Sequence, residues 1–439
     1  MTSRPVRDGA RLRLALIAGT VRPERCGVSH YTIRLAQGLR AAGLDATIVT
    51  THAAARALPA GLAVGALDRW GLRALPALAR AVRFLHPDLV HVQYAPASYR
   101  FHRAIALLPI ALALSGWHGP LITTAHEYGG WAWEPALVPT SLRRRLVGLG
   151  ARHGWWDRES GLLMSHSQAI VISNATALAS LEAWLPGARE RACEIPLCAN
   201  IDVAPIARDQ ARADLRQRFG WPDGCPVLAF FGFLHPVKGL ETLLDAFAVL
   251  RRAHSPARLL ILGGTESLSL HGDQAAAYLD GLRAAARAAG IEDRLVFTGY
   301  LPAEEASCLL AGADLAVLPF NHGVTLKSGS LLALLAHGLP VVASASEPPE
   351  PVLADEGLAR LAPPRAPAAL AAALAALLGD PAQRERLARA GKAYVAHLNW
   401  PATVERHRAL YAQLIAARAA PISGVRPPVP RASKPRALD

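Results

Sequence analysis

The stretch Asp314–Ser344, DLAVLPFNHGVTLKSGSLLALLAHGLPVVAS, decides the fold of this chain. Asp314–Pro319 is a short apolar run bounded by proline, the pattern of a buried parallel strand. Phe320–Lys327 contains Gly323 and no periodicity, and reads as a loop. Ser328-Gly329-Ser330 then opens a helix: a serine can cap the first turn, Leu331, Leu332, Leu334 and Leu335 are good helix formers, and Gly338 followed by Pro340 stops it. An apolar strand, Leu339–Ala343, comes next. Strand, loop, helix and strand make a right-handed βαβ unit whose helix begins at the carboxyl edge of the sheet, where free N–H groups and the helix dipole favour a phosphate. The stretch therefore predicts an anion site at Ser328, Gly329 and Ser330. The alternative is plain core, because a βαβ unit carries no function by itself.

The same grammar repeats upstream. Pro226–Phe231 reads as a strand, Gly232–Gly239 as a loop and Leu240–Arg252 as a helix. Lys238 stands at this strand-to-helix turn, where an ammonium group can meet phosphate oxygens that also face the helix start. Further strands are expected at Arg258–Leu262 and Leu295–Thr298, with Gly263-Gly264 and Gly299-Tyr300 at their ends. Residues 365–418 are Ala-rich and helical in composition, with breaks at Gly379-Asp380-Pro381 and Asn399-Trp400-Pro401.

In the first half, Leu12–Ala18 reads as a buried strand, followed by a polar turn and a helix from Gly27-Val28 to Ala42. Gly27 is either a tight helix entry or a point of close approach to a ligand. Apolar strands recur at Ala46–Thr50, Leu89–Gln93, Leu121–Thr124 and Ala169–Ser173, separated by helical segments, which predicts a doubly wound α/β domain. Two strand ends carry polar groups: Gln93-Tyr94, and His126-Glu127. Such groups are expected at the ligand-binding edge, with His126 either touching substrate or serving as a satisfied core histidine. Trp131, Trp133, Trp155 and Trp156 flank the cluster Arg143-Arg144-Arg145, which fits either an amphipathic helix under a loop or a contact with acceptor or membrane.

A chain of 439 residues exceeds one ordinary core and predicts two domains plus tails. Lys and Arg outnumber Asp and Glu by 47 to 34, a net +13, which favours anionic partners. Nucleic acid is not expected, since no basic and aromatic recognition motif appears. The five scattered cysteines argue for a reducing compartment rather than a disulfide framework. No signal-peptide core and no span of bilayer length is read, so a cytoplasmic protein is expected, peripheral at most to the inner membrane face.

With these residues in view the chain resembles glycosyltransferase family 4 of the GT-B fold, from about Leu12 to Leu414. The resemblance rests on CGVSHYTIRLAQGLRAAG from Cys26, HVQY from His91, TAHE from Thr124, EIPLCANID from Glu194, FFGFLHPVKGLETLLDAF from Phe230, RLVFTGYLP from Arg294, DLAVLPF from Asp314, ALLAHGLPVVAS from Ala333 and Asn399-Trp400. It implies an α/β fold of two facing Rossmann-like domains, residues 11–203 for an acceptor and 204–400 for a nucleotide-sugar donor. A helix, 401–418, crosses back to the first domain, between a flexible lead, 1–10, and a disordered basic tail, 419–439. It implies a retaining, metal-independent transferase acting in polysaccharide or glycolipid synthesis on a carbohydrate or lipid-linked acceptor, with no cofactor. His126 and Lys238 would be catalytic. Gly27, Val28, Gly232, His235, Lys238, Gly264, Thr325, Lys327, Ser328, Gly329 and Ser330 would bind donor, and Gln93, Tyr94 and Glu127 acceptor.

Two departures are visible. Phe233 stands where the family usually has Arg, with His235 two residues on as a substitute, and Thr325 and Ala333 replace the family's paired glutamates. Phosphate recognition survives these changes through Lys238, Lys327 and the helix start. Loss of the glutamates makes a non-catalytic partner subunit the main rival, and an epimerase of the same fold a second. Asp-x-Asp, the motif of metal-dependent transferases, does not occur.

Overall fold

The computed structural model describes residues 11–131, 140–355 and 357–419, so the expected lead at 1–10 and the tail beyond 419 lie outside the described residues. The chain divides into two compact units, one running to Pro196 and resuming at Trp400, the other spanning Leu197–Asn399. The units part slightly before residue 203 because Leu197 and Ala199 already pack on the second core and Ile201 belongs to it.

The first unit holds a sheet of β1 (Arg13–Ala18), β2 (Asp45–Thr51), β3 (Ala63–Leu67), β4 (Leu89–Tyr94), β5 (Leu121–Ala125), β6 (Ala169–Ile172) and β7 (Ala192–Glu194). Its strands run parallel in the order β3-β2-β1-β4-β5-β6-β7. The second holds β8 (Val227–Phe231), β9 (Arg258–Leu262), β10 (Leu295–Phe297), β11 (Leu315–Leu318), β12 (Val341–Ser344) and β13 (Arg360–Ala362), parallel in the order β10-β9-β8-β11-β12-β13. Both sheets are doubly wound. Central strands are buried along their whole length, as in β4, β11 and β12, which is why they read as unbroken apolar runs. In each sheet the winding reverses once, between β1 and β4 and between β8 and β11. A crevice opens outside the carboxyl ends of the strands at such a reversal, and ligands of this fold class bind there.

Seven helices matter below: α1 (Gly27–Ala41), α2 (Leu75–Leu85), α3 (Leu108–Leu114), α4 (Thr140–Arg152), α5 (Leu240–Arg252), α6 (Gly329–Ala336) and α7 (Trp400–Ala419). The last of these belongs to the first unit, where it packs along α1. Gly38 permits that approach, since a Cβ there would stand 2.5 Å from Val404 Cγ2. Helix α6 is apolar on every side and buried from Leu331 to Leu335, a core helix anchored between β11 and β12. Ser328 caps it, its Oγ accepting from the N–H of Leu331 at 3.2 Å. Ser328→Ala is expected to cost about 1 kcal/mol, the usual worth of such a cap. Denaturant titration of the second unit's transition measures it, and an unmoved midpoint would show that the cap is idle.

Candidate functional site

In the second unit, the loops that follow β8 and β11 meet at the reversal point. The first is Gly232–Gly239. Pro236–Lys238 forms one 3-10 turn, and Gly239, at φ 66°, turns the chain into α5. Only glycine serves here, because a Cβ would collide with the carbonyl oxygen of Pro319 just beyond β11. Asn321 ties the two loops further, its N–H donating to Val237 O (3.0 Å) and its Nδ2 to Pro236 O (2.8 Å). Gly232 faces the start of α6, with a Cβ position 2.6 Å from Ser330 Oγ. Gly264 borders the same loop, its carbonyl accepting from the N–H of Leu234 at 2.9 Å.

Lys238 is thereby brought to the edge from which α6 begins. Its Nζ lies 3.7 Å from the centre of the Phe320 ring, and burial lowers its pKa to about 8. An ammonium resting on an aromatic face, with no carboxylate partner among the described residues, is a cation held ready for an incoming anion. Lys327, half-buried, enters from the α6 side; burial lowers its pKa, opposed by Glu350. Ser328, Gly329 and Ser330 present the first turn of α6, and Asn200 Nδ2 sits 3.0 Å from where a Gly329 Cβ would be. Thr325 lies in the same loop, half-buried.

His235 corrects an expectation. Its Nδ1 accepts from the N–H of Val237 (3.3 Å), which leaves the proton on Nε2, 3.3 Å from Ser269 Oγ. Burial, with help from Lys238, depresses its pKa. His235 is thus a neutral cap of the 3-10 turn and cannot replace a guanidinium as a cation. Glu350 was not foreseen. It lies after β12, and its Oε2 accepts from the N–H of Leu326 at 3.4 Å, which puts a carboxylate beside the loop that lacks the family's first glutamate. The second glutamate's position is Ala333, fully buried in α6.

In the first unit the reversal point lies between β1 and β4. Gly27 and Val28 begin α1 beyond β1, Gly27 exposed and Val28 half-buried. His126 follows β5 directly, its N–H donating to Tyr94 O (3.0 Å) and its Nε2 to Gln93 Oε1 (2.8 Å). That hydrogen bond fixes the tautomer and leaves Nδ1 as an acceptor. The edge of Tyr31 packs on the His126 ring at 4.9 Å. Burial, with a smaller contribution from His407, lowers the His126 pKa to about 3, so the ring is neutral. Glu127 is exposed beside it.

The expected acceptor contacts of Gln93 and Tyr94 do not survive. Both side chains are sealed in the core, at 0% and 1% exposure, because β4 is the central strand and its last residues still lie under helices. Gln93 acts instead behind His126. Behind it lies a set that sequence reading missed: His407 Nδ1 donates to Thr403 O (2.8 Å) and its Nε2 faces Tyr31 OH (3.5 Å), while His91 bridges Tyr411 OH (2.8 Å) and Thr124 Oγ1 (2.7 Å). His407 and Tyr411 come from α7, remote in sequence, and nothing local announces their partners.

Of the aromatic and basic cluster, Trp133 and the side chains of Arg143 and Arg144 lie outside the described residues. Trp131 lies under the Arg103 guanidinium (3.7 Å), and Trp156 packs against Gly150. Glu159 clamps the loop after His126 by accepting from the N–H groups of Gly129 and Trp131, both at 2.9 Å.

Two doubly wound units, a cationic loop and helix start at the second unit's reversal point, and a last helix returned to the first unit define a protein of the GT-B fold. Sucrose-phosphate synthase from Thermosynechococcus elongatus has that fold, with a TM-score of 0.69 and 22% identity over 93% of this chain and 100% of that one. The HepE protein of Anabaena, solved in complex with UDP and glucose, has a TM-score of 0.65 and 18% identity over 92% of this chain and 100% of that one. A family model described as Glycosyl transferases group 1 matches residues 211–394, and one described as Glycosyltransferase Family 4 matches residues 26–202. The chain belongs to these group 1, family 4 glycosyltransferases.

Among its relatives are a D-inositol 3-phosphate glycosyltransferase of Segniliparus rotundus, 28% identical over 70% of this chain, and a 2-deoxystreptamine glucosyltransferase of Streptomyces kanamyceticus, 32% identical over 45% of it. The matched segment spans 64% and 50% of the lengths of those two relatives.

Proposed function

We propose that this protein transfers a sugar from a nucleoside diphosphate to an acceptor hydroxyl, with retention of anomeric configuration and without a metal. The observation that carries the reading is Lys238, a half-buried cation without a carboxylate partner among the described residues, resting on Phe320 at the end of the loop whose Gly232 approaches Ser330 of α6 at the reversal point of the second sheet. The acceptor oxygen bonds to the anomeric carbon as the bond from that carbon to a phosphate oxygen breaks, and negative charge grows on the departing diphosphate, which takes up the acceptor's proton. Lys238, Lys327 and the N–H groups at Gly329 and Ser330 stabilise that charge from fixed positions, which need not reorganise during reaction. Gly232 and Gly264 let the backbone approach the donor, and Thr325 offers a hydroxyl to it.

In the first unit His126 contributes as a neutral hydrogen-bond acceptor through Nδ1 rather than as a proton carrier, since its pKa of about 3 makes it a weak base. Glu127 joins it toward the acceptor, and Gly27 and Val28 offer backbone N–H groups at the start of α1. Two relatives bear names with cyclitol acceptors, inositol phosphate and deoxystreptamine. Cyclitols therefore belong beside carbohydrate and lipid-linked acceptors in any screen.

The test is a panel of nucleotide-sugars read first by thermal shift and then by release of nucleoside diphosphate with and without acceptor. Acceptor-dependent release is the expected result. Binding without release would make the protein a non-catalytic subunit, and acceptor-independent release an epimerase or hydrolase. His126→Ala is expected to lower turnover by about 10-fold to 100-fold, the scale of a lost transition-state hydrogen bond, with diphosphate affinity unchanged. A large fall in melting temperature instead would assign His126 to the core.

A further inference from the structure

Two helices of the first unit leave rows of leucine and isoleucine exposed, and a third ends on an exposed phenylalanine. On α3 and the turn before it, Leu107, Ile110 and Leu114 are exposed at helical spacing, Leu114 at 84%, while Leu108 and Leu112 on the opposite side are buried. On α4, Leu142, Leu146 and Leu149 form a second exposed row, with Val147 and Ala151 buried behind them. Phe84, in the last turn of α2, is 81% exposed. Soluble surfaces carry single exposed leucines as a matter of course, but rows of them at i, i+3/4 and i+7 mark a face that something covers.

These faces are neighbours. Arg83 Nη1 donates to Ser115 O (2.7 Å), which joins the end of α2, with Phe84, to the end of α3, with Leu114. At the other end of α3, Gly161 packs on Ala106, its Cβ position 2.9 Å from that of Ala106. Ser165 Oγ donates to Trp155 O (2.8 Å), and this ties the exposed Trp155, just past α4, to the same segment. The charge on these elements has one sign: residues 72–87, 99–119 and 140–155 hold nine arginines and no Asp or Glu. Arg145 and Arg152 flank the leucine row of α4 and are exposed.

We propose that this face of the first unit docks on an anionic lipid bilayer, laying α3 and α4 in the interface with their leucines in the acyl boundary and the arginines of α4 at the headgroups. Apolar rows edged by arginine and free of carboxylates match a surface that is apolar within and negative at its rim. No helix among the described residues is long and apolar enough to span a bilayer, so attachment through this face is peripheral and reversible. The inference is independent of the donor site, which lies in the other unit.

Full-length protein is floated with vesicles of phosphatidylglycerol or of phosphatidylcholine at low and at 0.5 M salt, using roughly a Debye-length range that screens exposed charge. Binding to the anionic vesicles only, weakened by salt, is expected, with at least a tenfold loss for Ile110→Glu/Leu114→Glu and for Leu146→Glu/Leu149→Glu. These positions are exposed, and an unchanged thermal transition certifies the fold of each variant. Absence of binding to phosphatidylglycerol, or equal binding by the variants, overturns the proposal. A concentration-dependent dimer abolished by the same substitutions, with vesicle binding unaffected, overturns it in favour of a second copy of this chain.

Discussion

Between pH 7 and pH 5 the first unit is expected to lose about 4 kcal/mol of stability through His126 and His407 alone, because they are imidazoles that are neutral when folded and protonated when unfolded. Burial holds His126 at about 3 and His407 at about 4, and drives His91 well below the ordinary range. A depressed histidine binds fewer protons in the native state, so its contribution is complete above about 6.5 and is lost as pH falls toward the native pKa. At pH 5 each of His126 and His407 has traversed about 1.5 units of that window, about 2 kcal/mol apiece. Asp157 and Glu159, raised by burial, act in the opposite sense and gain as pH falls through their raised values. His407→Gln separates the two, since it removes one titrating imidazole and leaves the carboxylates. The pH dependence of the unfolding midpoint is expected to flatten by about one proton in that variant. A wild-type midpoint that does not move between pH 7 and pH 5 would mean that the imidazoles find water as they charge.

Nucleoside diphosphate binding is expected to take up protons near pH 8 and to fail in Lys238→Ala. With its pKa at about 8, Lys238 is about half neutral at that pH in the free protein, and a bound diphosphate restores the full charge. Uptake of about half a proton at pH 8, and affinity falling nearly tenfold per pH unit above it, follow from linkage. Calorimetry in two buffers of different ionisation enthalpy reads the uptake directly. Lys238→Ala is expected to weaken binding by about 1–3 kcal/mol, the worth of a hydrogen bond to a charged group, and to abolish the uptake. Undiminished affinity in the variant would remove Lys238 from the site, and undiminished uptake would move the titrating group elsewhere.

Much of the second unit was legible in the sequence. The apolar run before Pro319, the serine cap at Ser328 and the Gly338 stop each leave a local mark, and the structure realises all three. Three of the four edge strands left none: β7 and β13 have three residues each, and β3 carries Gly65, so their pairing is decided by neighbours rather than by pattern. Polar residues at strand ends were harder still. Gln93 and His126 are alike as candidate ligand contacts in the sequence, yet Gln93, still inside β4, is sealed behind His126, which lies past the end of β5 and is partly open. His235 misled for a related reason, because a side chain that caps its own turn spends its acceptor on the backbone. Glu350 escaped notice since its partner, the N–H of Leu326, is 24 residues away.

The return of α7 to the first unit has a consequence for biosynthesis. The second unit is a continuous segment, Leu197–Asn399, and all of it has been synthesised before α7 is made. The first unit is interrupted, and Tyr31 and His91 acquire their partners His407 and Tyr411 only when synthesis reaches the last helix. A nascent chain therefore holds a nearly finished seven-stranded sheet with an open flank for as long as the insert takes to emerge. Chaperones that shield apolar surface would find their target there, on the half that is translated first and completed last.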